Sequence, residues 1–337
     1  MKVLYIGGTG TISAQCVKQS LERGCEVYAL NRGNRRDRLP EGARTITADI
    51  NADPQSVRAA LKGMSFDAVC QFIAFKPEQV ERDIDLFSGS VGQYIFISSA
   101  SAYDKPPSGG VIREDTPLRN PFWRYARDKI ACESVLTRAY RENGFPATIA
   151  RPSHTYSEWS IPVAVHGHKG SWQVLERMRR GRSVPLPGDG TTLWTFTHSR
   201  DFAGAFARLL GNPSAIGESV HITSDERLTW NQAYGVIARA LGAELNALRL
   251  PSWLLDAKGK AYGYDFEGSL LGDKANNAVF DTSKIKRLAP GWSAGIRYDE
   301  GVDIALNHLK KHPELAVPDP DFDRYCDELE AVVKSLA

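Results

Sequence analysis

The sequence predicts an α/β fold built on a doubly wound parallel sheet, with a smaller C-terminal lobe attached. Three observations predict it. A short apolar run starting at Met1 feeds the turn Gly7-Gly8-Thr9-Gly10-Thr11-Ile12-Ser13 and then a helical pattern. Strand and helix signals alternate as far as Ala150, and beyond Pro152 the composition shifts to a stretch rich in Gly, Pro, His and Trp. Such alternation belongs to a mainly parallel sheet covered by helices on both faces.

Lys2-Val3-Leu4-Tyr5-Ile6 reads as a buried first strand, and Ile12 to Leu21 as a helix with Cys16 and Val17 toward the sheet. The glycines between them let a phosphate reach backbone N–H groups at the helix start. Ser13 stands where a third glycine would bring helix and strand closest. Further strands are expected at Glu26 to Asn31, Arg44 to Ala48, Phe66 to Phe72 and Gln93 to Ile97, with helices at Pro54 to Leu61 and Pro77 to Phe87. A helix from Arg124 to Glu142 precedes a sixth strand, Ala147 to Ala150, which Arg151-Pro152 closes because proline cannot continue an interior ladder.

Residues 153–196 hold a helical run near Trp172 to Met178 and read as a lobe growing from the strand ends. Asp201 to Leu210 is helical again, Gly211-Asn212-Pro213 stops it, and Glu218 to Ile222 returns to the sheet. The expected division is 1–155 plus about 197–222 for a dinucleotide-binding domain, and about 156–196 plus 223–315 for a substrate-binding lobe. Residues 316–337 form a C-terminal helical extension in which Phe322, Tyr325, Cys326, Leu329, Val332, Val333 and Leu336 share one face and pack back on their own domain.

Composition narrows the function. The 337 residues can bury a large core, and 42 basic against 40 acidic side chains leave a net charge of +2 with no long run of one sign. Nucleic acid is therefore not the expected partner. Five cysteines, at 16, 25, 70, 132 and 326, make no CxxC pair and fit buried thiols in a reducing compartment. Met1 leads straight into a strand, and no apolar run is long enough for a bilayer, so a cytoplasmic protein without membrane contact is expected. His154, His166, His168 and His198 lack acidic or thiol partners at ligand spacing, so no metal site is expected.

The chemistry centres on Tyr125-Ala-Arg-Asp-Lys129. Four residues apart on a helix, phenol and ammonium share a face, and a neighbouring cation favours tyrosinate. Tyrosine and lysine at this spacing are common on solvated helices, but here they follow a nucleotide turn and a strand ending in Ser98-Ser99. Ser99 should sit at a carboxyl edge, where parallel sheets place ligands. No G-x-S-x-G elbow marks it as an acyl nucleophile.

Gly7-Gly8-Thr9-Gly10, Ser98-Ser99-Ala100-Ser101-Ala102-Tyr103 and Tyr125-Ala-Arg-Asp-Lys129 together resemble the extended short-chain dehydrogenase/reductases, the group of nucleotide-sugar epimerases and dehydratases. The similarity continues through Glu133, Arg151-Pro152, Asp201, Asp281-Thr282-Ser283-Lys284, Leu288 and Gly291-Trp292. The resemblance implies a Rossmann-type sheet with Ser99, Tyr125 and Lys129 as catalytic residues. Tyr125 would exchange a proton with a substrate oxygen, Lys129 would lower its pKa and hold the nicotinamide ribose, and Ser99 would bond the reacting oxygen.

It also implies a cofactor set of Gly7, Thr9, Gly10, Thr11 and Ile12 at the turn, Asn31, Arg32 and Arg36 after the second strand, and Asp49 and Ile50 near adenine. Phe72 and Ala74, in a loop beneath the cofactor, join Tyr125, Lys129, Pro152 and His154 in the same set. Asn31-Arg32 replaces the acid that usually binds the ribose diol of NAD, so NADP is favoured, with NAD the alternative because Asn31 can also bond a ribose hydroxyl.

Phe75, Ser99, Ser101, Tyr125, Tyr156 and Trp194 are the expected substrate contacts. Nucleotide-sugar epimerases often carry an arginine where Trp194 stands, and Lys258, Lys260, Lys274 or Arg297 are the cations available to replace it. The substrate is expected to be a polyhydroxylated small molecule, a sugar or nucleotide sugar, and the protein a homodimer by family similarity. The alternatives are an RNA-binding or RNA-processing protein on this scaffold, since Asn31-Arg32-Gly33 is similar to chloroplast members, and a non-catalytic dinucleotide sensor.

Overall fold

The computed structural model describes residues 1–52 and 54–336, the side chains of Arg36, Pro54 and Leu336 apart. Its first six strands are Lys2–Ile6 (β1), Glu26–Asn31 (β2), Arg44–Thr47 (β3), Phe66–Gln71 (β4), Val91–Ile97 (β5) and Ala147–Pro152 (β6). Between them run the helices Ser13–Glu22 (α1), Pro54–Ala60 (α2), Pro77–Phe87 (α3) and Arg124–Asn143 (α4). Near-continuous burial along β1, β2, β4, β5 and β6 has one cause, helices on both faces of a parallel sheet. Cys16 and Val17 of α1 pack on one face, while Val80 and Phe87 of α3 and Cys132 and Leu136 of α4 pack on the other. The 20-residue α4 stops at Gly144, whose φ of +68° takes the left-handed turn that closes the helix.

The second half supplies the short strands His154–Tyr156 (β7), Val184–Pro187 (β8), Leu193–Trp194 (β9), Phe196–His198 (β10), Ser219–Ile222 (β11), Leu228–Thr229 (β12) and Ala247–Leu250 (β13). Its helices are Trp172–Arg179 (α5), Ser199–Leu209 (α6), Trp230–Ala240 (α7), Ser252–Gly259 (α8), Ser283–Leu288 (α9), Tyr298–Lys311 (α10) and Pro320–Leu336 (α11). The sheet is seven-stranded, in the order β11-β6-β5-β4-β1-β2-β3, and parallel throughout. Chain direction across it reverses between β1 and β4, and a ligand crevice opens at the carboxyl ends of strands at such a point.

A second core lies outside the sheet, around Trp194, Phe196, Trp230, Tyr234 and Tyr298. Phe322, Tyr325, Cys326 and Leu329 of α11 enter it with 0% exposure. Each such side chain contributes roughly 1.5–3 kcal/mol, which ties the chain end to this core. No helix among the described residues is long and apolar enough to cross a membrane.

Two details differ from the sequence expectation. The sixth strand runs on through Pro152, which pairs in register with Ile222; at the last rung the missing N–H costs no ladder bond. The segment around α9, expected in the second lobe, sends Ile285, Ala289 and Trp292 against Phe202 and Phe206 of α6 on the sheet. Trp292 Nε1 fastens it there by donating to the Asp201 carbonyl at 2.9 Å.

Candidate active site

The turn after β1 is shaped by two residues that must be glycine. Gly7 and Gly8 have φ of +114° and +97°, and a Cβ on Gly8 would lie 3.2 Å from Ala29 Cβ. Behind them Ile12 caps α1 without a side-chain bond and no acid stands in its first turn, so the helix's leading N–H groups present positive potential at the opening. Ser13 Oγ accepts from Gly10 N at 2.9 Å, so the residue in the third-glycine position consumes one turn donor.

From this turn a cleft of about 870 Å³ extends along the strand ends. Gly7, Thr9, Gly10, Thr11 and Ile12 line one end, Asn31, Arg32, Asp49 and Ile50 a second stretch, and Phe72, Tyr125, Lys129 and Pro152 the far end. The Arg36 side chain lies outside the described residues. Two members of the expected cofactor set stand elsewhere. Ala74 is fully buried and offers only its carbonyl, and His154 lines the neighbouring cavity.

Lys129 is held from below. Its Nζ donates to the carbonyls of Ala74 at 2.8 Å and Ile97 at 2.7 Å, with the Phe75 and Phe96 rings 4.7 and 4.6 Å away. Burial pulls its pKa from 10.5 to about 8. The expectation that Lys129 lowers the Tyr125 pKa is corrected here. Burial raises the phenol, with the Ser99 hydroxyl pulling the other way. The ammonium is turned toward the two carbonyls and stands 5.9 Å from the Tyr125 ring centre, too weak a neighbour to offset desolvation.

A second cavity, near 280 Å³, adjoins the cleft, and Ser99, Ser101, Tyr125 and Trp194 line it. Ser99 stands two residues beyond the end of β5 and caps the short turn Ala100–Ala102, sharing a 2.8 Å hydroxyl contact with Ser101. Of the other expected substrate contacts, Phe75 lines the cofactor cleft, and Tyr156 lines neither space. Tyr156 is packed edge-on between His198 at 5.2 Å and Tyr298 at 5.9 Å, because its strand directs it into the second core. Sequence reasoning missed Lys105, Trp123 and Asp273 on the cavity wall. Only Trp123 had a signal, its place two residues before Tyr125, and the two rings lie 4.9 Å apart.

Behind the site a buried network ties α4 to β6. Arg151 forks onto Glu133, with Nη2 to Oε2 at 2.6 Å, and its Nη1 donates to Tyr103 at 3.0 Å. The Ser98 hydroxyl bonds the same Glu133 carboxylate. Breaking one partner of such a pair would leave a buried charge unanswered, which fixes the relative position of Ser99 and Tyr125.

A profile of the NAD dependent epimerase/dehydratase family matches residues 3–223. The chain belongs to that family. It is an NAD(P)-dependent enzyme of the extended short-chain dehydrogenase/reductase type. Among its relatives, the 2'-dehydrokanamycin reductase of Streptomyces kanamyceticus is 25% identical over 294 residues, covering 87% of this chain and 80% of that one. A chloroplast stem-loop binding protein of 41 kDa from Arabidopsis thaliana is 27% identical over 254 residues, 72% of this chain but 63% of the relative. The fold is similar to a dTDP-glucose 4,6-dehydratase from Bacillus anthracis solved in complex with NAD, with a TM-score of 0.73, 16% identity and coverage of 94% and 98%. The uncapped helix start, the glycine turn held at positive φ with little room for a Cβ and the long cleft all fit a dinucleotide.

Proposed function

We propose that this family member exchanges a hydride between a nicotinamide dinucleotide and a hydroxyl or keto carbon of a sugar-type substrate, with Tyr125 moving the accompanying proton. One observation carries the reading: the Tyr125 side chain lines both the long cleft and the smaller cavity. The bound dinucleotide supplies or accepts the hydride, and the protein supplies the rest. Burial keeps the phenol protonated at neutral pH, ready to donate to a developing alkoxide in the reducing direction. Ser99 Oγ turns from Ser101 to donate to the same oxygen. An ammonium has three donors; Lys129 spends two on backbone carbonyls and keeps one for a ribose hydroxyl.

NADP is the proposed preference. Asn31 is neutral and its Oδ1 already accepts from Gly33 N at 2.8 Å, leaving it one lone pair where a carboxylate would offer a ribose diol several, while Arg32 and Arg35 line the cleft beside it. A second reading, RNA binding, is favoured by the Arabidopsis relative alone.

One experiment separates the two. Tyr125→Phe should lower kcat/KM for NAD(P)H-dependent reduction of keto sugars about 10²–10⁴-fold, with NAD(P)H affinity unchanged by fluorescence titration. Unaltered turnover overturns the proton role. Tight RNA binding that survives raised salt and the Tyr125→Phe substitution supports the second reading.

A further inference from the structure

The cavity wall facing Tyr125 is assembled from segments remote in sequence, among them Lys105, His154 and the end of the π-helical turn Glu267–Lys274. Its charges do not cancel. Lys105 and Asp273 pair at 3.4 Å, whereas Lys274 Nζ has no hydrogen-bond or ion-pair partner among the described residues. The lining thus holds two ammonium groups and one carboxylate, and Asp273, which also attracts Lys274, leaves one positive charge in excess.

That cation is placed by the fold. The indole N–H groups of Trp194 and Trp230 both donate to the Lys274 carbonyl, at 3.0 and 2.9 Å, and the two rings stand 5.5 Å apart in the second core. Two donors on one carbonyl fix the turn, and the side chain leaves it on the cavity side. A second polar group nearby also lacks a partner. His154 Nδ1 is buried without a hydrogen bond, and burial together with the neighbouring Lys274 holds the ring neutral. A partly buried cation on this wall, with the His154 ring beside it, is costly to the unliganded protein and is answered by an anionic acceptor.

We infer that Lys274, beside His154 in the cavity wall, recognises an oxyanion, a carboxylate or a phosphate, carried by the same small moiety whose hydroxyl or keto group faces Tyr125. This deepens the proposed reading of the cavity as the substrate site and rests on it. Volume supports the second half. At about 280 Å³ the cavity falls just under the roughly 300–1,000 Å³ usual for drug-sized ligands, so Tyr125 and Lys274 address one sugar-sized group. A neutral sugar leaves Lys274 unanswered, and an amino sugar adds a like charge.

The test is equilibrium binding and thermal shift on the full chain loaded with NADPH, using D-glucuronate, D-glucose 6-phosphate, D-glucose, D-glucosamine and UDP-glucose. Wild type should bind one of the two acidic sugars at least about tenfold more tightly than glucose, with glucosamine weakest; which acid wins identifies the oxyanion. Lys274→Met should erase the gain and Lys274→Arg restore it, while the unliganded Tm of Lys274→Met stays level or rises, since an unanswered cation has gone. Equal binding of acidic and neutral sugars, no binding of either acid, or a preference that survives Lys274→Met overturns the inference. A Lys274-dependent gain seen with UDP-glucose alone places the cation under a diphosphate and overturns it too. Failure of wild type to bind NADPH in the same samples brings down the dinucleotide reading instead.

Discussion

The two spaces that meet at Tyr125 are built by different means. The long cleft is a backbone construction: a glycine turn, a bare helix start and the carboxyl ends of parallel strands leave N–H groups and room. The smaller cavity is made of residues from the turn after β5, the start of α4, β6–β7, β9 and the stretch before α9, brought together by tertiary packing. Their lysines show the same contrast. Lys129, at the cleft, is satisfied by two carbonyls, and Lys274, in the cavity, by none. Binding of the shared dinucleotide therefore rests on features that tolerate almost no substitution, while the cavity can change charge and shape without disturbing the sheet.

The sharpest way to break this contrast is at Gly8. A valine there must hold φ near +97° and place its Cβ 3.2 Å from Ala29, combining roughly 1–3 kcal/mol of backbone strain with a similar overpacking cost. Gly8→Val should weaken NAD(P)H binding more than about 100-fold, measured by fluorescence titration, and lower Tm. Binding within a few-fold of wild type would show that the turn is not a phosphate seat.

The same contrast explains what could be read from the chain. Gly7, Gly8, Ser99, Tyr125 and Lys129 act through local spacing: a turn, a strand end and one helical turn, each fixed by neighbours in sequence. Lys105, Asp273 and the true placement of His154 depend on where remote segments dock, and no local periodicity reports that. Tyr156 shows the limit most plainly. Its sequence neighbourhood fits a pocket residue, but the pairing of β7 with β10 turns the side chain into the second core. The Tyr125 pKa failed for a related reason: spacing places phenol and ammonium on one face but is silent about the carbonyls that draw the ammonium away.

Lys129 offers an intermediate test through pH. Its proton leaves at about 8 in the folded protein against 10.5 as the ordinary value. Between those values the unfolded chain binds more protons, so stability rises with pH across that window; below it both states are protonated and the burial cost is fully present. Relative to Lys129→Met, wild type should gain up to about 3 kcal/mol between the two ends of the window, read by denaturant unfolding near neutral and near pH 10. A pH-independent difference would mean that the two carbonyls fully offset desolvation, which would sharpen the distinction from Lys274.

The smallest expected effect lies at the exposed end of the cleft. Arg32 lines it beside Asn31 but is solvent-exposed, so a bond to a 2′-phosphate is charge-assisted yet screened. Arg32→Ala should raise KM for NADPH about tenfold, equivalent to roughly 1.4 kcal/mol, and leave KM for NADH unchanged, because NADH has no phosphate there to lose. Equal changes with both cofactors would place Arg32 over the shared pyrophosphate. No change with either would leave Asn31 as the reader of an unphosphorylated ribose and reverse the cofactor preference to NAD. Salt separates a direct bond from general steering: a direct bond loses only part of its NADPH-over-NADH ratio as ionic strength rises, whereas steering by Arg32 and Arg35 together loses nearly all of it.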